Sequence, residues 1–217
     1  MDREFSTGDF LYLLETFRWT ILLSGIAFAG GGAIGLLVAV ARTSNSKLIR
    51  YLSIAYIRFF QGTPLLIQLF IAFFLPGLFG YKVNPLIAAA IGLSFNASAY
   101  LGEIWRGCIE AVPKGQWEAA TSLGLRRLVL LGLIILPQAL RAAIPPTVGY
   151  LVQLIRDTSL ASIIGFIELS RAGYNLANTL FQPLLVFSIV AVIYFSICFP
   201  LSKASIRLEQ RLARAEK

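Results

Sequence analysis

Five long stretches of the chain carry almost no charge, and polar residues collect between them. Positions 19–41, 59–81 and 83–102 are uncharged throughout, 128–155 is broken only by Arg141, and 183–201 is the most apolar part of an uncharged run from 172 to 202. At 1.5 Å rise per residue, each is long enough to cross a hydrocarbon core about 30 Å thick. The pattern predicts an all-α, polytopic membrane protein, a single domain over 1–217 with spans at about 19–41, 59–81, 83–106, 128–155 and 183–202.

One polar segment has a structure of its own. Pro113 suits the first position of a helix, where its missing N–H is not needed, and Gly124 suits the left-handed position just past a helix end. A short exposed helix at about 113–124 is therefore expected. Ala119 and Ala120 leave little side chain on it, so another protein's groove can close on its backbone. Trp117, three residues before Ala120, offers a large anchor on the same face, and Glu118 favours the N-terminal turn electrostatically.

Polar residues inside the spans are the next signal, because an amide or a charge in lipid is costly unless it faces protein or water. Gln61, Thr63, Pro64 and Gln68 cluster in the second span, and Gln61 and Gln68, seven apart, fall on one helical face. They contact either a transported solute or another helix. Asn96 shares a face with Glu103 and is a candidate to line the same path. Arg106 can pair with Glu103 or Glu110 at i−3 and i+4. Arg141 is either a functional charge or a side chain that snorkels or pairs structurally. Pro145, Pro146 and Gly149 mark a bend or break in the fourth span. Gly31 and Gly35 either bring another helix close or are simply tolerated. Residues 156–171 read as a loop with a short apolar helix, Leu160–Ile167, that is a candidate gate. The segment from Lys203 onward is a basic amphipathic helix.

Composition agrees with the membrane reading: 57% of the residues are hydrophobic, 14% are charged, and the mean hydropathy is +0.75. The 19 Lys and Arg against 11 Asp and Glu point to membrane orientation rather than nucleic acid. When connectors are assigned alternately to two sides, 13 cations fall with the 113–124 segment and the C-terminus and 5 fall with the N-terminus. The positive-inside rule then places the N-terminus outside and the C-terminus in the cytoplasm. The N-terminal ten residues lack the apolar run of a signal peptide. Cys108 and Cys198 are far apart and read as unpaired packing residues.

Glu118, Ala119, Ala120, Gly124, Ile134, Leu136 and Pro137 match in type and spacing the EAA loop of bacterial ABC-importer permease subunits. The run AYLGEIWRGCIEAVPKGQWEAATSLGL, the run QGTPLLIQ and the run RDTSLASIIGFIEL extend the resemblance over most of the chain. They are similar to the branch that takes up polar amino acids of the His, Glu, Gln, Arg and opine type. The family commonly has Arg at the position of Gln61 and usually Asn at that of Gly149. The resemblance implies a type I permease fold and a coupling helix at 113–124 seated in a cleft of an ABC ATPase subunit dimer. ATP and Mg would then be bound by those partners and not by this chain. It further implies a second permease subunit, identical or related, an external amino-acid-binding protein, and residence in the bacterial inner membrane. Trp117, Glu118, Ala119, Ala120 and Gly124 become the ATPase-coupling residues, and Gln68, Asn96 and Arg141 the candidate pathway residues.

Enzyme chemistry finds little support in the residues themselves. There is no histidine, so no HExxH zinc site and no Ser-His or Cys-His pair, and no two acids lie within a span to form a dyad. No lysine follows a glycine, so a GxxxxGK[ST] phosphate loop is absent and no metal site is expected. The different-class alternative is an ion-gradient carrier or channel subunit, which would need no nucleotide. No internal repeat of the kind common in such carriers is visible.

Overall fold

The computed structural model describes residues 4–215, and the described residues form helices and short connectors. In order these are α1 (Thr7–Arg42), α2 (Lys47–Gly62), α3 (Leu65–Leu78), α4 (Pro85–Ala111), α5 (Lys114–Ser122) and α6 (Arg127–Leu130). A π-helical turn, Leu131–Ile135, leads into α7 (Leu136–Asp157). A 3₁₀ turn, Thr158–Ser162, then precedes α8 (Leu169–Leu180) and α9 (Pro183–Ala215). Residues 1–3 of the N-terminal segment and the last two residues of the basic tail lie outside this description.

Four units are long and apolar enough to cross a membrane: α1, α4, the stretch from Leu131 to Ser162, and α9. The bent pair α2–α3 makes a fifth if it is counted as one span. Their outer faces carry large exposed side chains, such as Leu37 at 71% and Val192 at 66%, where a water-soluble protein would show charge. Lipid is the solvent that suits this surface. Two polar side chains within α1 are satisfied by their own helix: Ser24 Oγ donates to the Thr20 carbonyl at 2.7 Å, and Thr16 Oγ1 to those of Tyr12 and Leu13.

The centre of the unit is α4, which packs against α1, α2, α3 and α7. Contact with α1 is closest because neither helix has bulk at the crossing. A methyl group at Gly31 would lie 2.5 Å from Ala97 Cβ, and one at Gly35 would lie 3.1 Å from the Ser98 carbonyl oxygen. Small residues permit this approach and dispersion holds it, since lipid supplies no hydrophobic drive between helices. The helix that Gly31 and Gly35 bring close is thus α4.

Three sequence expectations change. The uncharged run 59–81 is not one helix: the chain bends by 99° between α2 and α3. Pro64 lacks an N–H and forces Thr63 into extended backbone (φ −113°, ψ 141°), which stops α2. Gln61 and Gln68 therefore sit on different helices rather than on one face. In the fourth span, α7 runs without interruption through Pro145 and Pro146, and the irregular turn is at 131–135, upstream of Pro137. Third, Leu160–Ile167 is not a helix: a 3₁₀ turn gives way there to a tight turn at Gly165 (φ +92°), and the amphipathic helix α8 follows.

That extra helix is positioned by one acid. Glu168 is fully buried and caps α8, accepting from the Arg171 N–H at 2.9 Å and from the Tyr194 hydroxyl at 2.9 Å, with Thr20 Oγ1 at 3.3 Å. These contacts join α1, α8 and α9 around Leu13, Leu169, Leu176 and Val186. Burial pushes the Glu168 carboxyl above its ordinary range, and the hydrogen bonds only partly oppose this.

Candidate functional site

The α5 helix is nine residues long and leaves α4 after a sharp turn at Val112 and Pro113. Pro113 takes the capping position before Lys114, with extended ψ, rather than the first helical position. At the other end the Gly124 N–H donates to the Thr121 carbonyl at 2.9 Å, and Gly124 adopts φ +69°. This is the left-handed exit that glycine alone takes without strain.

The two faces of α5 differ. Ala120 is buried and Trp117 half-buried, and both pack on the chain's own Ile109, Val112, Leu130 and Ile135. Trp117 therefore fixes α5 to its own bundle rather than anchoring it in another protein's groove, the role that its size and spacing suggest. Glu118 and Ala119 lie on the exposed side. Glu118 is the fifth helical residue, beyond the first turn in which the helix dipole would favour it. Leu123 is 77% exposed on this same segment. It was not singled out from sequence, although an apolar residue directly before the Gly124 turn was a usable signal.

The segment after α5 is tied back to the far end of α1. The Arg127 guanidinium donates to Asn45 Oδ1 and to the Thr43 carbonyl, in the connector between α1 and α2. No local pattern announces this tie, because its partners lie more than eighty positions away.

Two of the three candidate pathway residues meet at the elbow. Gln68 Nε2 donates to the carbonyl of Phe60 at 2.8 Å, to that of Thr63 at 3.0 Å and to Thr63 Oγ1 at 2.9 Å. Asn96 Nδ2 in turn donates to Gln68 Oε1 at 3.1 Å. Both side chains are buried. The break at Pro64 releases backbone carbonyls that would otherwise be unpaired, and Gln68, held by Asn96, satisfies them. Phe60 stacks on Phe95 at 5.7 Å beside this network, and an apolar cavity of about 330 Å³ opens next to it between α3 and α4. Arg141 does not join it. It lies exposed on α7, with no ion pair among the described residues.

Charged groups gather instead at the α5 end of α4. Arg106 bridges Glu103 at 2.6 Å and Glu110, as their spacing predicts, and Arg42 Nε approaches the other Glu103 oxygen at 3.7 Å. Further along α4, Trp105 Nε1 donates to Thr147 Oγ1 at 2.9 Å, and Tyr100 stacks on Tyr150 at 5.5 Å, clamping α4 to α7. No group of three or more potential metal ligands occurs among the described residues.

Membrane-length helices with the short helix α5 packed at one end of the bundle define a helical integral membrane protein. Residues 31–214 match the family described as the binding-protein-dependent transport system inner membrane component, and the chain belongs to that family. Membership makes it a multi-pass, non-catalytic permease subunit.

Similar proteins extend over nearly the whole chain. It is 42% identical to the L-cystine transport system permease protein of Bacillus subtilis (strain 168) over 197 residues, 90% of this chain and 84% of that protein. It is 38% identical to the glutamine transport system permease protein of Escherichia coli (strain K12) over 202 residues, 92% of each. Among solved structures, that of an amino acid ABC transporter with histidines superposes with a TM-score of 0.86 at 30% identity, covering 92% of this chain and 94% of that one. An inward-facing methionine ABC transporter superposes at 0.76 with 20% identity, over 95% of this chain and 99% of that one, and shows the shared fold.

Proposed function

We propose that this chain is the translocation subunit of an ATP-driven importer for polar amino acids, and that α5 is its coupling helix. The observation that carries the reading is the construction of α5. It is a short helix held to the bundle by Trp117 and Ala120, it ends in a left-handed glycine, and it offers Glu118, Ala119 and Leu123 outward. Such a helix is a lever. A partner that grips the exposed face moves the whole block, because Trp117 and Ala120 are packed on Ile109 of α4, on Val112 just past its end and on Ile135 ahead of α7.

In this reading two ATPase subunits bind ATP and Mg, close on each other, and carry a docked α5 with them. The motion passes along α4 and α7, clamped through Trp105–Thr147 and Tyr100–Tyr150, and switches the side on which the path opens. A second permease, identical or related, completes the path, and an external binding protein delivers the amino acid, so the subunit itself needs only weak affinity for the solute. The N-terminus lies outside and the C-terminus and α5 in the cytoplasm of the bacterial inner membrane. Gln68 and Asn96 act at the elbow, where they hold its geometry beside the path. Arg141, exposed on α7, faces the partner permease or the space between the two.

Family membership favours this reading over an ion-gradient carrier or channel. Affinity purification of the chain from its native membrane in mild detergent tests it. A co-purifying chain with a GxxxxGK[ST] loop, lost on Gly124→Asp, supports the assignment. Recovery of the chain alone, active with an ion gradient and no nucleotide, contradicts it.

A further inference from the structure

The α5 end of the bundle holds more positive charge than its own acids neutralise. Two polar cavities of about 270 Å³ each adjoin there and share Arg42: Arg58 and Gln61 line one, Arg50 and Arg127 the other. The two acids at their edges, Glu103 and Glu110, are both bonded to Arg106. Arg127 is engaged only by the neutral oxygens of Asn45 and Thr43, and Arg50 and Arg58 have no ion pair among the described residues. Arg42 Nε is buried without a hydrogen bond, at 3.7 Å from the Glu103 oxygen that Arg106 leaves free, so Arg42 shares this one acid with Arg106.

We infer that Arg42, Arg50, Arg58 and Arg127 form a binding site for the phosphate headgroup of an anionic phospholipid. Two observations select a lipid rather than a free anion. The site runs from the end of α1 along α2, with Arg50 near the start of α2 and Arg58 two turns further on, and a basic pocket between membrane helices is where an anionic headgroup is held. Leu48, Tyr51 and Leu52 of α2, exposed at 68%, 68% and 63%, surround Arg50 with apolar surface on which acyl chains can lie. Trp117 lines the same cavity as Arg50 and Arg127, so a bound headgroup would touch the residue that fixes α5. The inference requires only that the chain spans a membrane, and it does not depend on which solute is carried.

Native mass spectrometry of the complex, purified in mild detergent and titrated with phosphatidylglycerol or phosphatidylcholine, tests this. Phosphatidylglycerol should be retained in preference to phosphatidylcholine. Arg50→Gln and Arg58→Gln, both at exposed positions, should each weaken that retention about fivefold. Lys82→Gln, on the exposed connector before α4, should leave it unchanged. Equal retention of the two lipids overturns the inference, as does an equal loss with Lys82→Gln. Displacement of the lipid by millimolar inorganic phosphate would make this a free-anion site. Retention by the chain alone that vanishes when the ATPase is bound would assign the arginines to acidic groups of that partner.

Discussion

Gly124 is the residue at which sequence and geometry agree most closely, and its substitution should separate folding from the proposed coupling. Its φ of +69° penalises any side chain by about 1–2 kcal/mol, yet a Cβ there meets nothing within 4 Å. Gly124→Asp should therefore reach the membrane at near-normal levels and fail in ATP-driven uptake, as quantitative blotting beside a transport assay would reveal. Gln68 calls for the opposite expectation. Gln68→Leu strands the Thr63 carbonyl and leaves Phe60 and Asn96 only their long mutual contact at 3.5 Å, a loss of about 1–3 kcal/mol for a buried unpaired group. Its unfolding temperature in detergent should fall, and Asn96→Leu combined with it should add less than the sum of the two single changes. At Glu168 the effect depends on pH. Because burial holds this carboxyl above its ordinary range, the folded state binds its proton more tightly than the unfolded state does. Its contribution to stability is full below the ordinary carboxylate range and is lost as pH rises through the elevated value. Glu168→Gln should flatten the pH dependence of thermal unfolding across that window, and an unchanged profile would show that the group does not titrate there.

Among the elements, the long apolar helices were legible and the elbow between α2 and α3 was not. The α1 and α4 helices follow from uncharged length, and of the two readings left open for Gly31 and Gly35 the structure selects the close crossing. Gly31→Leu should push α1 off α4 and markedly lower both yield and thermal stability, whereas Gly25→Leu, at a position with open space, should do neither. Hydropathy reports apolar length and says nothing of direction, so the run from 59 to 81 concealed a 99° bend that Pro64 creates and Gln68 repairs. The two prolines at 145 and 146 carried the same apparent signal and did not interrupt α7. In that helix Ser205 Oγ of α9 donates to the Pro145 carbonyl at 2.7 Å, so packing against α9 supports the segment from outside. The α8 helix was missed because its polar face and modest length place it below any membrane-span threshold. Its start is set by Glu168, whose partners come from α1 and α9.

At the scale of the molecule, the order of elements was readable because charge and hydrophobicity vary along the chain. The inner surface was not, because it depends on which helices meet. Arg106 with Glu103 and Glu110 is local in sequence and was foreseen. The Arg127 tie to the α1–α2 connector and the Trp105–Thr147 clamp are long-range and were not. For the helix α5 the position was legible, while the division between its buried and exposed faces was not. Trp117 and Ala120 face the bundle, and Glu118, Ala119 and Leu123 face outward. The proposed role of α5 is to transmit work from a separate ATPase to this bundle. Its most direct test is the uptake of labelled polar amino acids into proteoliposomes containing the purified complex, with ATP hydrolysis measured in the same vesicles. The account predicts uptake that requires ATP and survives collapse of all ion gradients, and that is abolished by Gly124→Asp. Uptake driven by an ion gradient without nucleotide, or unaffected by Gly124→Asp at equal protein level, would contradict it.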